Sequence, residues 1–253
     1  MKAKVMKVLS LCRRSFVCPV CGSKVRKFKM IGESYLKQFE TSLFPHSIFA
    51  FETLNVMGYS CPRCAASDRA RLYKLYIDRY MAWGKGATIL DIAPDPMLGP
   101  YLKSQPDVSY RSADISGDHV DDNVDITAMT AYRDNSFDFI LCSHVLEHVS
   151  DDAKAIAELF RVLKPEGKAI VMAPILLTID ETDEDATVVL PEERLSRFGQ
   201  EDHVRLYSKK GFTERLAAPG FVVKQYGVEF FGAETFLRHG IAERSVLYVV
   251  EKQ

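Results

Sequence analysis

At 253 residues and 47% hydrophobic content, the chain can bury one substantial core but is short for two full domains, so one domain with an appendage is expected. No apolar run approaches the roughly eighteen residues that a membrane span requires, which excludes a transmembrane protein and points to a cytoplasmic one. The charge is divided unevenly: residues 1–85 carry 16 Lys or Arg against 5 Asp or Glu, and the remainder carries 17 against 29. That split fits either a polyanionic partner for the basic part, RNA or an anionic membrane surface, or a basic part that docks on its own acidic domain.

Residues 1–15 read as a basic amphipathic helix able to touch a membrane surface peripherally. Lysines interrupt the apolar stretch, no small-residue cleavage site follows, and Leu11 stands where a lipoprotein box needs a small residue before Cys12. Of the six cysteines, Cys12 and Cys142 stand alone, whereas Cys18 with Cys21 and Cys61 with Cys64 form two Cys-x-x-Cys pairs. In each pair a tight turn aims both sulfurs at one point, and two such knuckles supply the four soft thiolates of a closed tetrahedral zinc site. Disulfides are the competing explanation, but the lone Cys142 within an apolar strand and the missing export signal suit a reducing compartment. A four-thiolate site has no open position, so its role is structural. The 39 residues between the pairs must fold as an excursion, with strands from Lys24–Met30 and a helix or hairpin around Phe39–Phe51.

Residues 67–83 follow as a linking helix, capped by Ser67 and presenting Leu72, Leu75, Tyr76, Arg79 and Tyr80 at helical spacing. This places a basic segment and ribbon over 1–66 and the main domain over 67–253. From residue 87 strands and helices alternate: strand 87–92, helix 98–104, strand 108–114, short strand 123–126, strand 137–142, helix 151–163 and strand 168–173 after a Pro-Glu-Gly turn. An acidic stretch at 179–185 reads as a mobile surface loop. A helix at 208–217 and strands at 221–228 and 245–251 close the chain, the last two as an antiparallel addition to a parallel sheet. Several apolar strands end in an acid, beginning with Asp91 and Asp114, a spacing that lets an open parallel sheet present carboxylates to a nucleoside ribose.

These residues carry a resemblance. From about 87 to 175 the chain resembles class I S-adenosylmethionine (SAM) dependent methyltransferases, with Leu-Glu-His-Val at 146–149 after the fourth strand and Arg-Val-Leu-Lys-Pro-Glu-Gly at 161–167 before the fifth. More narrowly, the Cys61-Pro-Arg-Cys64 knuckle, the Ala93-Pro94-Asp95 loop and the segment 198–207 resemble bacterial methyltransferases with an N-terminal zinc ribbon. The resemblance implies an α/β fold, a Rossmann-like seven-stranded mixed sheet, with a small zinc-ribbon subdomain. It implies that Asp91 holds the first loop and the methionine amine, with Ala93 and Pro94 in that loop. It further implies that Asp114 accepts from the ribose hydroxyls beside Ile115, that Asp125 and Ile126 meet adenine, and that Ser143 and His144 lie beneath the methionyl part.

The first loop departs from the glycine-rich form usual in this family. Pro94 and Pro96 have no amide hydrogen to offer a pyrophosphate, which argues against NAD or FAD, whereas SAM carries no phosphate and tolerates a stiffer loop. His-Val-Leu-Glu-His at 144–148 also matches an inverted zinc peptidase motif, but a peptidase needs it within a helix, and here it follows a strand. For the acceptor side the candidates are Asp202, His203, Arg205 and Tyr207; His203 and Tyr207 are expected to face the methyl-donor cavity under a lid formed by 176–201. His203 is either a general base or a residue that orients a loop or contacts the cofactor. The function expected is methylation of an oxygen or nitrogen on a small-molecule or glycan acceptor; the runner-up is methylation of RNA gripped by the basic ribbon, and the alternative of another class is a non-catalytic zinc-ribbon adaptor on a relic domain.

Overall fold

The computed structural model describes residues 15–253. The amphipathic segment over the first fourteen residues, its membrane contact and Cys12 lie outside the described part. The central strands are apolar on both faces, as strands covered by helices on either side must be. In β3 (Ala87–Ile92), β6 (Phe137–Ser143) and β7 (Leu163–Met172), Ile89, Leu90, Phe139, Ile140, Ala169, Ile170 and Val171 have no exposed surface. With β4 (Val108–Asp114), β5 (Asp122–Asn123), β10 (Val222–Tyr226) and β11 (Leu247–Glu251) they form one seven-stranded sheet. Its order is β10-β11-β7-β6-β3-β4-β5, and two-stranded sheets pair β1 (Phe16–Val17) with β2 (Lys24–Val25) and β8 (Asp183–Glu184) with β9 (Arg205–Leu206).

The five strands from β7 to β5 are parallel, while β11 runs antiparallel to both β7 and β10, as the alternation predicts. Two short helices, Val228–Phe231 and Ala233–His239, intervene between the last strands, where the sequence shows no crossover element. The chain leaves β3 toward β4 and β5, then returns to the other side of β3 with β6. The crevice at the carboxyl ends of β3 and β6 is therefore the topological switch point, where open α/β sheets bind ligands. Register sets Asp91 opposite Ser112 on one side and Leu141 on the other, and Ser143 opposite Met172, so the strand-end residues share one edge.

Two boundaries differ from expectation. Strand β5 ends at Asn123, leaving Asp125 and Ile126 in the following turn. Strand β7 starts at Leu163, and the Pro-Glu-Gly segment is a bulge within it, with Glu166 at φ 63 and a register shift opposite Phe137–Phe139.

Helix α1 (Glu33–Thr41) and two short turns make up the excursion between the knuckles. The excursion does not stand apart. Ile31, Phe44, Ile48, Phe51 and Val56 form one buried cluster with Leu176, Phe198 and Leu206, and Phe51 bridges to Leu176. Helix α2 (Asp68–Tyr80) is capped by the Ser67 hydroxyl, which accepts from the Ala70 amide, and buries Leu72, Tyr73, Tyr76 and Ile77 in the main core. Its Arg71, with no exposed surface, spends all five N–H donors on carbonyls: Gly58, Tyr59 and Ala66 of the ribbon, and His239 and Gly240 near the C-terminus. Among the described residues no helix is long and apolar enough to cross a membrane.

Candidate active site

Asp91 is fully buried at the end of β3. Its Oδ2 accepts a hydrogen bond from the Tyr110 hydroxyl at 2.8 Å, while its Oδ1 has no partner. Burial pushes its carboxyl up to about 7, against the Tyr110 hydrogen bond, with Asp95 adding to the rise. The loop that follows folds without glycine: Ala93 sits in the left-handed region at φ 52, and its amide is tied to the Ala113 carbonyl at 2.8 Å. Asp95 Oδ1 accepts from the Met97 and Leu98 amides, shaping the turn between Pro94 and Pro96.

Asp114 ends β4 with its carboxylate engaged only by the Ser116 amide at 3.4 Å, and Ile115 beside it is 73% exposed, an apolar surface facing outward next to an available carboxylate. Asp125 Oδ1 accepts from the amide and hydroxyl of Thr127, whereas Ile126 is buried in the main core. Ser143 ends β6 with its hydroxyl 2.8 Å from that of Tyr73. His144 follows at φ 59, so both loops at the switch point hold a non-glycine residue in a strained conformation, a feature that clusters at functional sites.

A cleft of about 450 Å³ lies between the carboxyl ends of β6 and β7 and the excursion. Its apolar wall is Ile31, Tyr35, Phe39, Phe51, Ile175 and Phe198; its polar wall is Arg69, His144, Glu147, His148, Gln200 and His203. The Arg69 guanidinium contacts His144 Nε2. Arg can only donate, so His144 carries its proton on Nδ1, which lies 2.9 Å from Glu147 Oε1. Burial and Arg69 bring the His144 imidazole down to about 4. Glu147 is 1% exposed; burial alone would raise its carboxyl, yet the surrounding imidazoles hold it below the usual range. His203 is 3% exposed. Its Nδ1 lies 3.3 Å from the Phe198 carbonyl and so bears the proton, leaving Nε2 as an acceptor without a partner. Burial lowers this imidazole as well, keeping it neutral.

Tyr207 does not face the cleft. It has no exposed surface, and its hydroxyl donates to Asp152 at 2.5 Å, an acid that also binds Arg215 at 2.7 Å. Arg205, two residues earlier, donates to the carbonyls of Leu146, Val149 and Ser150. The two side chains brace the loop after β6, and His203 and Asp202 alone of the motif reach the histidine cluster, Asp202 lying 3.3 Å from His148. The acidic segment is also not a free loop. Glu181 pairs with Lys210, Asp183 and Asp185 with Arg197, and Glu184 with Arg205 and Arg215, while Asp183–Glu184 pair as a strand with Arg205–Leu206. Composition reveals the acids but not the bases that meet them. Reading the sequence missed Arg69, Glu147 and His148 as cleft residues. The signal for the last two was the His-Val-Leu-Glu-His motif, read as a family signature and set against a peptidase helix without giving Glu147 or His148 a role; it lies on a strand end and a 3₁₀ turn.

At the other end of the chain the four cysteines converge. Cys18 and Cys64 sulfurs are 3.7 Å apart, Cys21 and Cys61 sulfurs 3.9 Å, and all four lie within 4.8 Å of one another. Thiolates around a tetrahedral zinc at about 2.3 Å stand roughly 3.8 Å apart, so this set fits that ion, and the sulfurs are too far apart for disulfides. The two knuckles match: the residue after each second cysteine, Gly22 at φ 68 and Ala65 at φ 63, is left-handed and donates its amide to the carbonyl of the first.

Residues 104–171 match a family model described as a methyltransferase domain. That stretch holds β4, β5, β6 and most of β7, the parallel centre of the sheet. A segment of 54 residues is 43% identical to the ubiquinone/menaquinone biosynthesis C-methyltransferase UbiE of Hydrogenovibrio crunogenus, covering 20% of this chain and 21% of that protein. Another of 41 residues is 51% identical to an uncharacterized protein of Methanocaldococcus jannaschii, covering 16% of this chain and 18% of that one. The chain thus spans about a fifth of the length of the curated relatives it matches. Among solved structures, the [4+2]-cyclase SpnF superposes with a TM-score of 0.52 at 16% identity, covering 88% of this chain and 97% of its own. That neighbour supports the fold, and its name shows that the sheet alone does not decide the reaction.

Proposed function

We propose that the protein is a SAM-dependent methyltransferase acting on an oxygen or nitrogen of a small-molecule or glycan acceptor, with structural zinc in the cysteine cluster. The observation that carries the acceptor class is the cleft. At about 450 Å³, roofed by the excursion and by Phe198–His203, it has the size and mixed lining of a small-ligand site.

The cofactor end fits SAM. A buried carboxylate with one free oxygen, Asp91, suits an ammonium group. Asp114 beside the exposed Ile115 suits a ribose and an apolar ring face. SAM, when bound, supplies a methyl group on a sulfonium, ready for in-line displacement. The protein's task is then to hold the acceptor close, exclude water and take a proton where the nucleophile carries one. His203 has the right form for that last step: neutral, tethered through Nδ1, with Nε2 free. His203→Ala is expected to lower turnover at least tenfold while SAM affinity stays within a factor of about two; unchanged turnover would return His203 to a structural role.

One observation favours methylation of RNA as the second reading: Lys24, Arg26, Lys27 and Lys29 are all exposed on the ribbon. Tight RNA binding that weakens steeply with salt would move the acceptor assignment to that class.

A further inference from the structure

We infer that Glu147, His148 and His203 form a site for a first-row divalent cation in the wall of the acceptor cleft, separate from the cysteine cluster. Their ligand atoms lie within 4.8 Å of one another, and all three residues line the cleft. Two of them are buried with an atom left over: Glu147 Oε2 and His203 Nε2 have no hydrogen-bond partner among the described residues, and Glu147 Oε1 meets only His144 Nδ1 at 2.9 Å. A buried carboxylate with one oxygen unsatisfied, this close to a buried imidazole lone pair that is also unsatisfied, is costly unless something lies between them. Bonds to a shared ion at about 2.0–2.2 Å require the atoms to draw in by a modest side-chain adjustment. His148, with 34% of its side chain exposed, is free to make it.

The donor chemistry selects the ion. Two imidazoles and one carboxylate suit zinc, cobalt, iron or manganese, and disfavour magnesium and calcium, which prefer oxygen shells. Three protein ligands leave open positions, and these face the cleft, where an acceptor hydroxyl would enter. The outer contacts of a metal site are also present. Arg69 fixes the tautomer of His144, whose Nδ1 proton points at Glu147 Oε1, and Asp202 lies 3.3 Å from His148 Nδ1, leaving Nε2 of that ring nearer Glu147. With an ion bound, His203 would act on the acceptor through the metal, which lowers the pKa of a bound hydroxyl, and not as a free base. That consequence rests on the methyltransferase reading; the site itself does not.

The test is a titration of the full chain with Co²⁺ after its cysteine cluster has been saturated with one equivalent of zinc, followed by calorimetry and absorbance. One further equivalent of cobalt is expected, without the sulfur-to-cobalt charge-transfer band that thiolate ligation gives. Glu147→Gln and His148→Ala should each weaken that binding at least tenfold, and His144→Ala about tenfold through the lost support of Glu147. His148 is partly exposed, so its variant should fold even if changes at buried Glu147 do not. Absence of a second equivalent, a thiolate band on it, or equal affinity in the His148 variant would overturn the site. SAM affinity measured on the same samples reports separately on the methyltransferase reading.

Discussion

Asp91 is the residue whose environment says most about its task. Its folded pKa stands near 7, above the ordinary 3.8, so between those values the folded state holds a proton that the unfolded chain has released. The contribution of the protonated form is fully present below about pH 4 and is lost as pH rises through 7. Ligand-free protein should therefore gain on the order of 2–4 kcal/mol from Asp91→Asn at pH 8 and much less at pH 4, by thermal or denaturant unfolding. The same substitution should abolish tight binding of an ammonium-bearing cofactor, because the free oxygen that would accept its proton becomes an amide or a weaker acceptor. Equal stability of variant and parent at pH 8 would show that the buried carboxyl is compensated in a way the Tyr110 contact does not reveal. At this scale strand-end acids were readable in the sequence because an apolar run that stops at an acid marks the strand's carboxyl edge. Tyr207 was misplaced for a related reason: a tyrosine next to a reactive-looking histidine carries no sign of the Asp152 and Arg215 that bury it.

Among the elements, the ribbon and the main domain depend on one another through Arg71. Removing its side chain leaves five carbonyls without their charged donor, those of Ala66 and Gly240 in fully buried bonds, and hydrogen bonds to charged groups are worth about 1.5–3 kcal/mol each before non-additivity. Arg71→Ala is expected to destabilise the whole chain by on the order of 3 kcal/mol or more, read as one cooperative transition; a loss below about 1 kcal/mol would mean that the ribbon docks by other means. Cys61→Ser should lose zinc and loosen the ribbon, with metal analysis of reduced parent protein finding one ion in the cysteine cluster and the variant none there. The order of strands and helices from 87 onward was legible because hydrophobic periodicity and caps such as Ser67 are local signals. The excursion was not, since its aromatics bury themselves against Leu176, Phe198 and Leu206, partners that no spacing rule brings together. The cleft inherits that difficulty, being built from residues within 31–59, 144–148, 173–175 and 198–203 together with Arg69.

For the molecule as a whole, acids of the main domain find their bases within it, and the charge asymmetry between the two parts stands. Lys209 meets buried Glu52 across the excursion and main domain, and the acids at 181–185 are met by Arg197, Arg205, Lys210 and Arg215. Lys24, Arg26, Lys27 and Lys29 of the ribbon stay exposed, and none of them lines the cleft. The central claim, that the switch-point crevice holds SAM, is tested most directly by calorimetric titration of the intact zinc-loaded protein with SAM, alongside Asp114→Ala. The account predicts one SAM per chain and a variant weakened by one to two orders of magnitude, the worth of about 1.5–3 kcal/mol of hydrogen bonds to a charged acceptor. No binding by the intact protein, or equal affinity in the variant, would contradict it, the former leaving the chain as a zinc-ribbon adaptor on a methyltransferase fold.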